Sequence, residues 1–267
     1  MIQPLDVAIS AARTAGQIQK DHTNRIARIE YKGDINPVTE VDLLCEQEII
    51  KQIRGHFPDH EILAEESGQS SQKNAWRWVI DPLDGTVNYA HGYPCYCVSI
   101  ALERDGKVQV GVIYNPNLDE LFVAERGKGA TLNGEPIRVS TIDTLLRSML
   151  VTGFAYNIAE TEHNNLDHFA NFSGECQAVR RPGSAAMDLC YVACGRFEGF
   201  WELNLHPWDY AAGWLLLEEA GGRVTRFDGE PFTMGDREIL ATNAVVHDSA
   251  VVWNTSTHVM FWGHSAF

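Results

Sequence analysis

The stretch that decides the fold is WVIDPLDGTVNY, residues 78–89. It begins with a run of β-branched and apolar residues that predicts a buried strand. The strand ends in Asp81 and Asp84, and Pro82 between them favours a backbone in which both carboxylates point to the same side. Gly85 then lets backbone amides approach a bound group closely. Taken alone, this pattern is equally typical of a metal site and of an Asx/Pro turn with two solvated acids.

Composition places the chain among ordinary globular proteins. Of its 267 residues, 45% are hydrophobic and 21% are charged, which is enough apolar material for a substantial core. The formal net charge is −15 and no Lys/Arg-rich run occurs, so we expect no direct binding to nucleic acid or to an anionic membrane. No segment approaches about 20 apolar residues, and the N-terminus does not have the pattern of a signal peptide. We therefore expect a cytoplasmic protein.

The cysteines do not follow a zinc pattern. Cys95 and Cys97 are two positions apart, and Cys190 and Cys194 are four apart, whereas structural zinc sites use paired CxxC elements. We expect reduced and mostly buried thiols in a reducing compartment.

Apolar residues at helical spacing predict two N-terminal helices. The first covers residues 4–22, and the second begins after Thr39, which can cap it, and continues to Arg54. Asp42 lies in the first turn of the second helix, where the helix dipole favours an acid. A structural role for Asp42 therefore has about the same weight as a functional one.

Charged residues in two loops leave alternatives open. We expect a polar loop over residues 31–42, in which Lys32 and Asp34 either fold over a site or are solvated. Arg180 and Arg181 precede a Pro-Gly turn, where they either meet an anion or serve as solvated or subunit-contact residues.

A second pair of acids, Glu65 and Glu66, follows a predicted strand at residues 61–64. A surface acid pair is the commoner explanation of such a pattern. However, the polar loop 67–75 has about the length needed for this strand to lie beside the one that precedes Asp81. One of the two glutamates would then meet both aspartates of the first stretch. Such a hard-oxygen cluster suits Mg²⁺ rather than Zn²⁺.

The centre of the chain predicts an antiparallel meander. Strands are expected at residues 96–102, 108–114 and 120–125, with hairpin turns at 105–106 and 133–134.

The second half, from residue 141, mixes strands and helices. We expect strands at 148–152 and 177–180 and helices at about 160–170 and 184–194. Helices first, then a meander, then mixed elements indicate an α+β or layered α/β fold with two sheets.

The last informative stretch is ELNLHPWDYAAG, residues 202–213. It predicts a helix that starts near Asp209 and ends at residues 221–222, so a capping role is a strong alternative explanation of this acid. Small residues after Asp209 would let the helix pack closely and bring its carboxylate to the first cluster. Glu202 and His206 lie within reach of the same place, although a lone histidine is more often structural.

Together, these motifs resemble the inositol monophosphatase family of Mg²⁺-dependent, Li⁺-sensitive phosphatases. The resemblance covers roughly residues 5–245, and several motifs in a fixed order are far more specific than any one of them. The continuation NYAHGYP is closer to the inositol monophosphatase branch than to the nucleotide bisphosphatase or histidinol-phosphatase branches. The motifs are KGDINPVTEVD (32–42), AEES (64–67), DPLDGTVNYAHGYP (81–94), WELNLHPWDYAAG (201–213) and EEAGG (218–222).

The resemblance implies a centre with two or three Mg²⁺ ions. Glu65, Asp81 and the backbone carbonyl of Leu83 would hold one ion, and Asp81, Asp84 and Asp209 would hold a second. A third ion is held loosely near Glu65 in some relatives. Metals that share a phosphate stabilise the attacking and leaving oxygens of an in-line displacement.

The resemblance also implies the roles of the catalytic and substrate-binding residues. Thr86, hydrogen-bonded to Asp42, would orient a metal-activated water, with Glu65 completing the catalytic set, and no covalent intermediate is expected. The amides of Gly85 and Thr86 would hold the phosphate beside Asp84. The residues expected to contact the hydroxyl-bearing alcohol are Ala185, Glu202 and His206.

The family further implies a layered αβαβα sandwich and a homodimer. The halves 1–140 and 141–267 would form one compact unit, with the active site in the cleft between them. The aromatic C-terminal tail, with Trp253, Phe261 and Trp262, would pack either on the body or at a dimer contact.

The expected function is Mg²⁺-dependent hydrolysis of inositol 1-phosphate or a similar small polyol monophosphate. The alternatives within the superfamily are fructose-1,6-bisphosphatase, alone or as a dual activity, and histidinol-phosphate or 3′-phosphoadenosine 5′-phosphate phosphatase. The non-enzyme alternative is a transcription-associated partner protein that kept the fold.

Overall fold

The computed structural model describes residues 2–23, 29–32, 36–156, 158–161 and 164–255, with backbone alone for 29–32, 36–37 and 252–255. Within these residues no helix is long and apolar enough to cross a membrane. The α-helices in this part of the chain are α1 (Pro4–His22), α2 (Glu40–His56), α3 (Thr86–Ala90), α4 (Leu166–Glu175), α5 (Ala185–Ala193), α6 (Pro207–Glu219) and α7 (His247–Thr255).

The described strands form a short ribbon and two sheets. The ribbon pairs β1 (Ile29–Lys32) with β2 (Asn36–Thr39). The larger sheet has eight strands in the order β10-β9-β8-β7-β6-β5-β3-β4. Its members are β3 (Glu61–Ala64), β4 (Gly68–Gln69), β5 (Trp76–Asp84), β6 (Cys97–Arg104), β7 (Lys107–Asn115), β8 (Glu120–Glu125), β9 (Gly129–Leu132) and β10 (Glu135–Pro136).

The smaller sheet has five described strands in the order β12-β11-β13-β15-β14. β11 runs parallel to both of its neighbours, and β15 is antiparallel to β13 and β14. The members are β11 (Met149–Thr152), β12 (Ala178–Arg180), β13 (Gly199–Leu203), β14 (Arg223–Thr225) and β15 (Glu238–Thr242).

Successive side chains along a strand point to opposite faces of the sheet, so helices pack against both faces of each sheet. The result is five layers. On β5, Trp78 and Ile80 join the apolar cluster of α1 and α2, whereas Val79 points to the other face and joins that of α5 and α6. On β13, Phe200 faces the same two helices, and Trp201 packs in the cluster of α4 and α7. The order is therefore helix, sheet, helix, sheet, helix, which confirms the predicted αβαβα sandwich with two sheets.

Many of the predicted elements are present. α1 covers the predicted residues, and α2 starts after Thr39, whose hydroxyl accepts a hydrogen bond from the amide of Val41. The predicted meander is antiparallel from β5 to β10. The residues of both predicted turns, 105–106 and 133–134, have positive φ angles, as the tight turns of hairpins require. All six cysteines are free thiols, and each is buried or partly buried.

The strand of the first stretch ends at Asp84, as predicted, but it carries a bulge that we did not predict. β5 continues through both aspartates, and its pairing with β6 changes register between Asp81, which faces Ser99, and Asp84, which faces Cys97. Residues three apart in a regular strand point to opposite faces. One extra residue at this bulge reverses the alternation, so both carboxylates reach the same side.

Two predictions of local structure were wrong. The expected loop at 31–42 overlaps the antiparallel ribbon β1–β2, in which Pro37 is paired opposite Tyr31. A proline is tolerated there because a ribbon leaves outward N–H positions unpaired. The helix expected at 160–170 begins only at Leu166, because Asn165 has a φ of 70° and cannot continue a right-handed helix.

Some predictions concern residues outside the described part of the chain. Asp34 and the side chain of Lys32 lie there, and so do the side chain of Trp253 and all of the tail that contains Phe261 and Trp262.

Candidate active site

A cavity of about 750 Å³ lies where the two sheets and three helix N-termini meet. Its walls include the ends of β3, β5 and β13 and the first residues of α3, α5 and α6. Backbone N–H groups at a helix N-terminus favour a bound anion. The cavity is therefore suited to a negatively charged ligand, even though the protein itself is acidic.

The structure brings the predicted site residues together at this cavity. Asp42 does not line it but lies directly behind Thr86, to which it is hydrogen-bonded. All the other predicted residues line the cavity wall: Glu65, Asp81, Leu83, Asp84, Gly85, Thr86, Ala185, Glu202, His206 and Asp209.

Four carboxylates from distant parts of the chain share one side of the cavity. Burial raises the pKa of Asp81 well above its ordinary value, and repulsion from Glu65, Asp84 and Asp209 raises it further. Burial likewise raises the pKa of Asp84 and that of Asp209. Buried like charges destabilise one another's ionised forms unless a cation lies between them. The cluster is therefore a strong candidate for a cation site.

Each of two aspartates of this cluster is anchored at a helix start. Asp84 Oδ2 accepts hydrogen bonds from Ser184 Oγ at 2.6 Å and from the amide of Ala186 at 2.8 Å. Asp209 Oδ2 accepts from the amide of His206 at 2.7 Å and so caps α6 while it lines the cavity. The capping role that the sequence offered as an alternative is present, and it leaves the other carboxylate oxygen available.

A buried glutamate on α2 fixes the turn that presents Glu65. The amide of Glu65 donates to the carbonyl of Ile80, which ties the end of β3 to β5. The carboxylate of Glu46 then accepts from the amides of Glu66 and Ser67, both at 2.9 Å. This two-point contact sets the chain direction directly after Glu65.

Thr86 and Asp42 form a buried pair at the edge of the cavity. The Thr86 hydroxyl lies 3.0 Å from both Asp42 Oδ1 and the Leu83 carbonyl oxygen, so its proton has two acceptors. Asp42 Oδ2 accepts from the amide and the hydroxyl of Thr39. Burial raises the pKa of Asp42 to about 6, although these hydrogen bonds oppose the shift. At neutral pH Asp42 is therefore mostly ionised and can accept a hydrogen bond from the Thr86 hydroxyl.

Gly85 is required at its position for two reasons. Its φ is 94°, in the left-handed region that other residues avoid. A Cβ atom at this position would also lie 2.8 Å from the carbonyl oxygen of Cys95. The turn into α3 can therefore come this close to the backbone of Cys95 only with glycine.

The three residues expected to contact the alcohol differ in their exposure to solvent. Ala185 and Glu202 are buried at the wall, whereas His206 is exposed and its ring stacks on Trp208 with a centroid distance of 4.7 Å. Burial, followed by repulsion from Asp84, raises the pKa of Glu202 to about 8.

Sequence reasoning missed several residues of the cavity wall. Ser184 anchors Asp84, and its position at the start of a predicted helix was the signal that could have identified it. Arg181 had been singled out without a choice of role, and it lines the cavity. Asn88 also lines the cavity and stands in the motif at 81–94, but no role had been assigned to it. Nothing in the local sequence marked the others, which include Gly153, Phe154, Tyr156 and Arg237.

The residues present fit a divalent cation by their donor chemistry. Carboxylate and backbone carbonyl oxygens are the ligands that hard cations such as Mg²⁺ prefer. Within the described residues, no three His, Cys, Asp or Glu side chains already form a closed metal site. The fit therefore lies in donor type and buried charge, and a cation would draw the carboxylates together.

Comparisons with known proteins identify the family. The model of the inositol monophosphatase family matches residues 2–259, nearly the whole chain. The chain belongs to the inositol monophosphatase family. It is 47% identical over 245 residues to an inositol-1-monophosphatase of Synechocystis sp., covering 91% of this chain and 85% of that protein. It is also 43% identical over 251 residues to the Nus factor SuhB of Escherichia coli, covering 93% and 92%.

Solved structures agree with this assignment. The inositol monophosphatase of Anabaena (Nostoc) sp. superposes with a TM-score of 0.86 at 47% identity, covering 93% of this chain and 94% of that one. Members of the family are metal-dependent phosphatases that act on small phosphate esters. The chain is accordingly an enzyme that hydrolyses phosphate monoesters.

Proposed function

We propose that the chain is a Mg²⁺-dependent phosphatase that hydrolyses inositol 1-phosphate, or a similar small polyol monophosphate, to the alcohol and phosphate. The observation that carries the proposal is the meeting of four carboxylates at one cavity, beside the buried pair of Thr86 and Asp42. The relatives named as inositol monophosphatases support the choice of substrate.

The proposed metal ligands follow from the cluster. Glu65, Asp81 and the carbonyl of Leu83 would hold one Mg²⁺, and Asp81, Asp84 and Asp209 would hold a second, with room for a third near Glu65. Bound Mg²⁺ would neutralise the charge of the phosphate and lower the pKa of the attacking water.

The chain's own residues would bind and orient the reactants. The Thr86 hydroxyl donates a hydrogen bond to Asp42, so its lone pairs are free to accept a hydrogen bond from the attacking water and hold it in line. The amides of Gly85 and Thr86, at the start of α3, would hold the phosphate oxygens. Ala185, Glu202 and His206 would contact the hydroxyl groups of the alcohol.

A panel of substrates tests this proposal directly. Phosphate release is measured from inositol 1-phosphate, fructose 1,6-bisphosphate, histidinol phosphate and 3′-phosphoadenosine 5′-phosphate, each with Mg²⁺, with a chelator and with added Li⁺. We expect the fastest release from inositol 1-phosphate, loss of activity with chelator and inhibition by Li⁺. No release from inositol 1-phosphate together with rapid release from another ester would overturn the choice of substrate.

A second candidate function is that of a transcription-associated partner. It is supported by the similarity to a relative named as a Nus factor. Turnover in the panel that depends on Mg²⁺ would favour the enzyme, whereas an inactive protein that binds transcription components would favour the partner role.

We also propose that the chain works in the cytoplasm as a homodimer, without direct contact with nucleic acid or membrane. The net charge of −15 supports the last point. Light scattering should give twice the chain mass of 29.8 kDa, and a monomer mass would contradict the dimer.

The halves 1–140 and 141–267 are proposed to act as one structural unit. The hydrogen bond between Ser184 and Asp84, which joins the two halves at the cavity, supports this. A single cooperative unfolding transition is the expected result, and two separate transitions would contradict it.

A further inference from the structure

Glu202 has an unusual position at the cavity wall. Its residue is 8% exposed, and among the described residues no hydrogen bond or ion pair reaches its carboxylate. Because Glu202 lines the cavity, its carboxylate can accept hydrogen bonds from the polar groups of a ligand bound there. The polar groups of a bound alcohol would fill this role.

Gly153 lies against this carboxylate. It directly follows β11, which runs parallel to β13 with Thr152 opposite Trp201, so Gly153 and Glu202 occupy the next position on each strand. A Cβ atom on Gly153 would lie 2.2 Å from Glu202 Oε1 and 2.3 Å from Oε2. Two such atoms cannot approach closer than about 3 Å. The carboxylate therefore occupies the space that any other residue at 153 would fill.

The backbone of Gly153 does not itself require glycine. Its φ lies outside the left-handed region, so an L-residue could adopt the same conformation. The absence of a side chain at this position therefore serves the packing of Glu202.

The backbone here cannot easily move away to make room. The carbonyl oxygen of Gly153 accepts from Asn165 Nδ2 at 2.7 Å, and Asn165 Oδ1 accepts from Trp201 Nε1 at 2.7 Å. Asn165 and Trp201 are both buried, which leaves the end of the Glu202 side chain as the part that must shift.

We propose that Gly153 is a specificity-determining residue that acts by positioning Glu202. The space above its Cα atom sets where the carboxylate lies, and this placement determines how well the enzyme holds the hydroxyl groups of a polyol phosphate. The inference rests on the proposed function, because it assumes a hydroxylated alcohol in the cavity.

The test compares Gly153→Ala with the wild type on two esters. One is inositol 1-phosphate, and the other is p-nitrophenyl phosphate, whose alcohol carries no further hydroxyl group. The ratio of kcat/KM for the first ester to that for the second should fall about fivefold to tenfold in the variant, the size expected from one or two weakened hydrogen bonds. The matched control is Gly55→Ala on α2, where a Cβ atom meets nothing within 4 Å, and its ratio should equal that of the wild type.

A double-mutant cycle separates positioning from general damage. In a Glu202→Ala background the added methyl group has no carboxylate to displace, so Gly153→Ala should change the ratio no further. A ratio that Gly153→Ala leaves unchanged, or lowers equally with and without Glu202, overturns the inference. Failure of the proposed function is a separate result, namely a wild type that does not hydrolyse inositol 1-phosphate. The same cycle is then run on the hydroxylated ester that the wild type hydrolyses fastest.

Discussion

Replacement of Thr86 by valine tests the proposed chemistry most directly, because it keeps the shape of the side chain and removes only the hydroxyl group. In the folded protein this hydroxyl lies 3.0 Å from Asp42 Oδ1 and 3.0 Å from the Leu83 carbonyl oxygen. Asp42 is 1% exposed and keeps only its two contacts with Thr39 when Thr86 is changed.

The expected size of the effect differs for stability and for rate. Loss of one hydrogen bond to a buried carboxylate should lower the free energy of unfolding by about 1–2 kcal/mol. The attacking water loses the group that orients it, and misplacement of a reactant by about 1 Å can cost about 100-fold in rate. We therefore expect kcat to fall by at least about 100-fold, with a much smaller change in KM.

The assay combines steady-state phosphate release with thermal unfolding in the presence and absence of Mg²⁺. Thr86→Ser, which keeps the hydroxyl, is the matched control and should retain most of the activity. Mg²⁺ should still stabilise the valine variant, since the hydroxyl of Thr86 is not a metal ligand in the proposed scheme. A folded valine variant with kcat near that of the wild type would refute the role of Thr86. Loss of Mg²⁺ stabilisation would show that Thr86 acts on the metal centre instead.

Three further predictions concern the carboxylate cluster and the core. Asp84→Asn should abolish turnover and stabilisation by Mg²⁺, and a variant that keeps both would show that the metal assignment is wrong. Glu46→Gln disturbs the turn after Glu65 and should raise the Mg²⁺ concentration for half-maximal activity roughly tenfold. An unchanged Mg²⁺ titration would contradict this role of Glu46. Burial and the charge of Arg223 lower the pKa of His247 from 6.5 to about 4. The ring is then neutral in the folded protein at pH 5 but protonated in the unfolded chain, so the stability that is complete above pH 6.5 declines as the pH falls towards 4. Allowing for partial solvent screening, urea unfolding should show a loss of about 1–2 kcal/mol at pH 5 from this residue, and His247→Gln should lack that part of the pH dependence.

The identity of the carboxylates could be predicted from the sequence, but the way in which they meet could not. Asp81 and Asp84 stand in one short motif, and the loop before them has the length that lets β3 lie beside β5. Their common direction, however, comes from a bulge in the pairing with β6. A bulge depends on which residues of the partner strand are opposite, and no local pattern in β5 reports this.

Anchoring of the cluster depends on contacts between residues that are far apart in sequence. Asp84 is held by Ser184, a hundred positions away, because α5 starts beside the end of β5. Helix starts are recognisable from sequence, but which acid a helix start will meet is decided by the packing of the layers. Capping by Asp209 was predictable because its partner, His206, lies three positions before it at the start of α6.

The part of the site that is proposed to select the alcohol is the hardest to predict from local sequence. Glu202 acquires its position because β11 and β13 are parallel neighbours, so the residue after β11 has to leave room for a carboxylate on the next strand. Gly153 follows a buried strand and has no left-handed backbone that would mark it as a turn glycine. The need for glycine at position 153 therefore becomes visible only in the folded structure, where a side chain at this position would overlap the carboxylate of Glu202. If this placement governs the choice of alcohol, relatives that share the carboxylate cluster can change substrate through residues at these two positions while the phosphate chemistry stays the same.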